Sequence, residues 1–309
     1  MAYDLNEINM KTVTDPKGFC EECEHAYQMQ VEAAAERILA NVKNSPIVLL
    51  AGPSGSAKTT SAMKLSEALN RRGVGTHYVS MDDYFNTVGK DTPRTPEGDF
   101  DLESPKCLDM ALLNSHFEKL ERRERIFVPK YEFSRRMRVT EPSKSILLKK
   151  DEICIFEGIH ALNDDISVRH PNAFKMHISA SSDVQFRNET VFKSTWFRLV
   201  RRTVRDYNFR GADPAETMAM WANVRRGEKL YITPFKKRAD FQLDSSLACE
   251  MAVMNHTATK LFQTVPEGIE RYDELRAVLP ALQLFGVIKD ICVPADSVLR
   301  EFIGGGIYS

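Results

Sequence analysis

An α/β fold, a parallel sheet with helices on both faces, is the architecture this sequence predicts, and three observations carry the prediction. Apolar runs of strand length alternate with helically spaced segments between residues 46 and 250, the pattern of parallel strands joined by crossover helices. One of those runs, Ile47-Val48-Leu49-Leu50-Ala51, leads into Gly52-Pro53-Ser54-Gly55-Ser56-Ala57 and then into a helix-like segment opened by Lys58-Thr59-Thr60. Two later strands end in acids, at Ser80-Met81-Asp82-Asp83-Tyr84-Phe85 and at Phe156-Glu157-Gly158. The carboxyl ends of parallel strands form the rim where ligands bind.

Taken in order, residues 1–20 read as irregular, and 22–44 as a helix on the spacing of Ala26, Met29, Val31, Ala34, Ile38, Leu39 and Val42. Ser45-Pro46 ends it. The strand at 47–51 and a helix at about 58–71 follow, then a turn at Arg72-Gly73-Val74-Gly75 and a strand at 76–80. Residues 86–105, rich in Gly, Pro, Asp and Thr, read as a long loop, and loops of that length are commonly functional. A helix at 108–120, an extended run at 125–131 and strands at 145–148, 151–158 and 174–178 come next. Helices are expected at 183–209, broken near Lys193, and at 213–226, and the last strand at 239–243. The remainder reads as mostly helical and ends in the turn Gly304-Gly305-Gly306. Three units are therefore expected: an N-terminal extension with one helix (1–45), a core (46–250), and a mostly helical segment packed on the core (251–309).

The chain of 309 residues carries 42 Lys and Arg against 43 Asp and Glu, a formal net charge of −1. Such a balance provides no global field for nucleic acid or an acidic membrane, and neither is expected as a partner. No apolar run approaches the length of a membrane span. Met1-Ala2-Tyr3-Asp4-Leu5-Asn6-Glu7 lacks the basic and apolar regions of a secretion signal. The six cysteines then read as free thiols of a cytoplasmic protein. Cys20-Glu21-Glu22-Cys23-Glu24-His25 could offer zinc ligands, but no second pair at suitable spacing follows. Two thiols near a helix start are the expectation.

The Gly52–Thr60 stretch has the setting in which a phosphate-binding loop works: strand, tight loop, helix. Backbone N–H groups of such a loop point inward at phosphate oxygens, and the helix N-terminus adds its dipole. Lys58 would reach the terminal phosphates and the Thr59 hydroxyl would bind Mg²⁺. The usual pattern has Gly just before the Lys, and here that residue is Ala57. The loop is expected to tolerate it provided Ala57 keeps a negative φ. The plainer alternative is a Gly/Ser-rich turn between strand and helix.

Phosphoryl transfer needs positioning, a metal to neutralise phosphate charge, and an acid to orient or deprotonate the nucleophile. Asp82 and Glu157 supply acids at strand ends, and Gly158 would let a substrate approach the backbone; helix caps or solvated turn residues are the alternative. Arg198, Arg202 and Arg205 share one helix face, with Arg201 adjacent and Arg210-Gly211 following. That face can clamp a transferring phosphoryl group. The alternatives are a solvated face partly paired by Asp206, and an RNA-binding stripe, which the near-neutral charge opposes.

Over about residues 46–246 this ordered series resembles the uridine kinase and phosphoribulokinase group of P-loop small-molecule kinases, uridine–cytidine kinases most closely. Besides the loop and the two acidic strand ends, Asp99-Phe100-Asp101 resembles that group's Asn-Phe-Asp step. Val128-Pro129-Lys130-Tyr131-Glu132-Phe133 is similar to its Val-Pro-x-Tyr-Asp-Phe strand, and the arginines from Arg198 to Arg210 resemble its lid. The resemblance implies a P-loop NTPase fold with an Arg-rich helical lid, and ATP and Mg²⁺ as cofactors. Gly52, Ser54, Gly55, Ser56, Ala57, Lys58, Thr59 and Thr60 would surround the phosphates. Asp82 is implied as catalytic base, with Lys58 and Arg202 acting on the phosphoryl group. Thr59, Asp82 and Glu157 would surround Mg²⁺. Asp101 and Arg198 would hold ribose hydroxyls, and Phe85, Phe100 and Tyr131 would wall the base. Arg201, Arg202, Arg205 and Arg210 would close over ATP.

Three positions depart from that group. Arg136 stands for a His that contacts the pyrimidine, Met220 for a ribose-binding Gln, and Phe85 for a Tyr. Losing a buried hydrogen-bond partner shifts selectivity by orders of magnitude. Arg136 points to a more acceptor-rich base or an anionic group on the acceptor. The flanks resemble the ends of larger bacterial proteins that fuse a uridine-kinase-like domain to an N-terminal regulatory-type domain. The N-terminal helix is expected either to pack on the core or to form a subunit contact in a homo-oligomer. The leading expectation is ATP- and Mg²⁺-dependent phosphorylation of a nucleoside hydroxyl, the 5′ position first. The alternatives are a kinase of another small alcohol, such as a sugar phosphate or vitamin precursor, and a nucleotide-binding switch without metabolic turnover.

Overall fold

The computed structural model describes residues 2–269 and 272–308. In chain order its elements are β1 (Ala2–Asp4), α1 (Leu5–Thr14), α2 (Pro16–Asn41), β2 (Ile47–Ala51), α3 (Lys58–Asn70), β3 (Gly75–Ser80), α4 (Met110–Glu121), β4 (Ile126–Glu132), β5 (Met137–Ile146) and β6 (Glu152–Glu157). Then come α5 (Asp164–Ser167), β7 (Phe174–Ser179), β8 (Asp183–Phe186), β9 (Glu189–Phe192), α6 (Ser194–Arg210), α7 (Pro214–Tyr231), β10 (Phe241–Asp244), α8 (Glu250–Gln263), α9 (Tyr272–Leu282) and α10 (Arg300–Ile303).

The expected parallel sheet has five strands in the order β10-β7-β2-β6-β3. β2 lies at its centre and is buried along its whole length. Its side chains alternate between faces, as the pleat requires. Val48 and Leu50 enter one apolar cluster with α2, α3, α6 and α8; Ile47, Leu49 and Ala51 enter the other with α4, β3 and β4. A central strand buried on both faces places the loop that follows it on a rigid base. β4 and β5 form an antiparallel hairpin outside this sheet, so the extended strand from Met137 runs well beyond the short one expected at 145–148.

Two further stretches differ from the sequence reading. Residues 183–192, expected to begin a helix, form the β8–β9 hairpin. It turns at Arg187 and Asn188 with φ of 51° and 68°, and Val184 and Phe192 point into the core. Residues 1–20, expected to be irregular, contain β1, α1 and the start of α2. β1 pairs in parallel with β8 to complete a second, three-stranded sheet. Asp15 begins α2, its carboxylate accepting the Gly18 N–H at 2.9 Å, with Pro16 in the first turn.

Both flanks belong to the core. The Tyr27 and Ser61 hydroxyls, on α2 and α3, lie 2.5 Å apart, so the N-terminal helix packs on the core. At the other end Phe302 is fully buried in the same apolar cluster, beneath the Arg201 guanidinium at 5.1 Å.

Candidate active site

The loop between β2 and α3 sits at the carboxyl end of the central strand. A Cβ on Gly52 would meet the Ile178 carbonyl oxygen at 2.1 Å, and Gly55 has φ of 75° with the Arg198 backbone close by. Only glycine suits either position. Ser56 is fully buried. Ala57 does not keep the negative φ expected of it: φ is 62° and ψ 33°, the left-handed region. That geometry costs an L-residue roughly 1–2 kcal/mol, which the surrounding packing of a buried methyl holds in place.

Lys58 opens α3. Its Nζ lies 3.3 Å from the Pro53 carbonyl and 3.5 Å from Glu157 Oε1 at the end of β6. The Tyr78 phenol donates to Glu157 Oε2 at 2.8 Å and has the Thr59 hydroxyl beside it. Asp82 follows β3 in a short 3-10 turn, its backbone N–H donating to Ser80 Oγ at 3.3 Å. Burial and then the Glu157 charge push the Asp82 carboxyl up to about 6, while Lys58 and Arg210 pull the other way. Gly158 has a different use from the one expected: a Cβ there would strike the Met81 side chain at 2.7 Å. It lets the Asp82 turn pack on β6 rather than admitting a substrate.

The arginines of α6 divide by depth. Arg198 is buried, with Nε donating to the Ser54 carbonyl at 3.0 Å and Nη1 to Glu228 at 2.7 Å. That position supports the loop and does not present the side chain to ribose hydroxyls. Arg201, also fully buried, pairs with both Glu250 oxygens at 2.5 and 2.6 Å and reaches the Gly55 carbonyl at 3.3 Å. It braces the loop from beneath instead of closing over ATP. Arg202 Nη1 donates to Ser54 Oγ at 2.9 Å. Arg205 pairs with Asp206, and both Arg205 and Arg210 line a cavity with Thr59 and Thr60. Arg201→Ala is expected to lower the unfolding free energy by about 3–5 kcal/mol, because Glu250 would be left buried without its partner. Urea unfolding checks it; a loss under about 1 kcal/mol would place the brace elsewhere.

On the acceptor side, Asp101 is buried, with Arg226 of α7 2.8 Å from Oδ1 and the Tyr231 hydroxyl donating to Oδ2 at 3.1 Å. Phe100 lies under the Arg94 guanidinium at 4.6 Å. Phe85, Tyr131 and Phe133 form an aromatic group with centroid separations of 5.0–6.1 Å. Arg136 is exposed in the β4–β5 turn with φ of 50°, and Met220 is 45% exposed on α7.

Several residues here escaped sequence reasoning. Glu103, packed against Gly227 of α7, has a carboxyl raised to about 7 by burial, with Arg202 opposing and Asp101 and Asp82 adding to the shift. His160 is buried and its pKa is lowered to about 4, so it is neutral. Arg226, Glu228 and Tyr231 contact the site across the chain, and Glu301 reaches Thr60 from the C-terminal segment. Only Glu103, two residues past Asp101 in the long loop, had a local signal.

A glycine loop at the end of a central parallel strand, faced by acids from the two strands beyond it in the sheet, defines the class: a P-loop nucleotide-phosphate site. The family model described as "Phosphoribulokinase / Uridine kinase family" matches residues 47–250, and the chain belongs to that family. Among similar proteins, the uridine kinase of Saccharomyces cerevisiae is 27% identical over 221 residues, covering 70% of this chain and 40% of that protein. The uridine kinase of Deinococcus deserti is 27% identical over 195 residues, covering 63% of this chain and 84% of that one. The uridine kinase of Schizosaccharomyces pombe is 27% identical over 265 residues, covering 82% and 53%. The chain thus spans about half or less of the two yeast proteins it matches. The family relation makes it a phosphotransferase acting on a hydroxyl. No helix among the described residues is long and apolar enough to cross a membrane.

Proposed function

We propose that this chain transfers the γ-phosphoryl group of ATP, with Mg²⁺, to a hydroxyl of a nucleoside, the 5′-hydroxyl first. The observation that carries the reading is Asp82, set at the end of β3 in the field of Glu157, Lys58 and Arg210 with its carboxyl raised to about 6. A base with that pKa is ionised near neutrality yet keeps real proton affinity. The acceptor hydroxyl oxygen would attack the γ-phosphorus, its proton would pass to Asp82, and the bond to the β-phosphate oxygen would break to release ADP. Lys58 would sit on the terminal phosphates, and Arg202, Arg205 and Arg210 would meet charge as it spreads over the transferring group.

The donor set suits a divalent cation. Burial first and then the Glu157 charge disfavour a bare Asp82 carboxylate, and the Thr59 hydroxyl supplies a neutral oxygen beside Tyr78 and Glu157. Those three residues would hold Mg²⁺, which supplies neutralisation of phosphate charge when bound.

A second reading, a kinase of another small alcohol, has its own support. Asp101 is already engaged by Arg226 and Tyr231, and Met220 and Arg136 face outward. ADP formation from MgATP across nucleosides, sugar phosphates and pantothenate decides between them. Stimulation by a nucleoside supports the first reading. Stimulation by a non-nucleoside alone moves the substrate, and stimulation by none leaves a nucleotide-binding switch.

A further inference from the structure

The donor side of the loop has a wall that the family match does not include. A cavity of about 280 Å³ is lined by Thr59 and Thr60 of α3, Arg205, Phe209 and Arg210 of α6, and the segment 297–308. From that segment Glu301 Oε2 accepts from the Thr60 hydroxyl at 2.8 Å and lies 3.5 Å from the Thr60 backbone nitrogen. Thr60 is in the first turn of α3, where backbone N–H groups lack helical partners and favour an anion. A carboxylate is already placed where such an anion belongs. Its surroundings are cationic: the charge of Glu301 is felt at both Arg201 and Arg210. The segment that carries it is fixed by Phe302 in the core, by Asn208 donating to the Phe302 carbonyl at 3.1 Å, and by the Tyr308 hydroxyl donating to Glu67 at 2.7 Å.

We infer that Glu301 competes with a phosphate group of the donor nucleotide for Thr60 and for the field of Arg210, so that the C-terminal segment sets donor affinity. This rests on the donor reading above and adds a regulator to the same site. The segment acts as an intramolecular anion held at high effective concentration. A nucleotide must displace it, and its displacement leaves the carboxylate next to Arg210 or in solvent.

Glu301→Gln and Glu301→Asp test it, the first removing the charge and the second the reach. Binding of MgADP and of inorganic tripolyphosphate is measured by calorimetry beside the parent, with the melting temperature of each protein. Both variants are expected to bind both ligands about tenfold more tightly, the scale of one charged hydrogen bond released from competition, with melting temperatures close to the parent. Unchanged or weaker binding, with or without a lowered melting temperature, overturns the inference and leaves Glu301 a structural cap. Failure of parent and variants alike to bind either ligand overturns the donor reading and this inference with it. Binding without an effect of Glu301 overturns the inference alone.

Discussion

Lys58→Ala is expected to lower kcat/KM by about a thousandfold, the scale seen when one preorganised charge is removed from a transition state. Two losses combine. The cation above the terminal phosphates disappears, and so does the positive charge that offsets Glu157 at 3.5 Å and holds Asp82 down. Asp82 should then titrate higher than about 6, so the acid limb of the pH profile moves up as the rate falls. Lys58→Met, which keeps the stem, separates charge from packing. Turnover undiminished in either variant would refute the assignment of the phosphate loop, whatever the acceptor.

Asp82→Asn should lower kcat by about 10²–10⁴-fold, the usual share of general base catalysis, while donor affinity changes far less. In the parent, kcat/KM is expected to fall as pH drops through about 6, because the carboxyl there becomes protonated. The asparagine variant loses that limb. Stability moves in the opposite sense. The folded carboxyl binds its proton more tightly than an unfolded one, so stability is greatest below the unfolded pKa and declines as pH rises from about 4 to about 6. Asparagine avoids that decline, and its melting temperature above pH 7 should exceed the parent's. A variant with near-parental turnover would remove Asp82 from the role of base.

The sheet and the loop were legible in the sequence because their signals are local. An apolar run, a glycine pair, a Lys-Thr-Thr and acids at strand ends each lie within ten residues, and the strands appeared where periodicity placed them. The misread stretches share one property: their meaning is set by distant residues. β8 is paired on one edge by its hairpin partner β9 and on the other by β1, about 180 residues earlier, and no pattern in 183–192 announces the second pairing. The arginines of α6 recur at one helical spacing, yet Glu228 and Glu250 decide which of them are buried braces. Ala57 follows the same logic, since the fold imposes a backbone that the side chain disfavours. Glu301 lies outside the stretch where the family resemblance could guide a reading.

α3 is gripped by both ends of the chain. Tyr27 from the N-terminal helix meets Ser61, and Glu301 and Tyr308 from the last residues meet Thr60 and Glu67. The loop and its helix precede by more than 200 residues the segment 297–308 that helps to seat them. A chain lacking residues 297–308 should therefore leave that face of α3 unclamped. Contacts this distant in sequence close slowly, so refolding from denaturant should recover helical signal well before both clamps on α3 are in place.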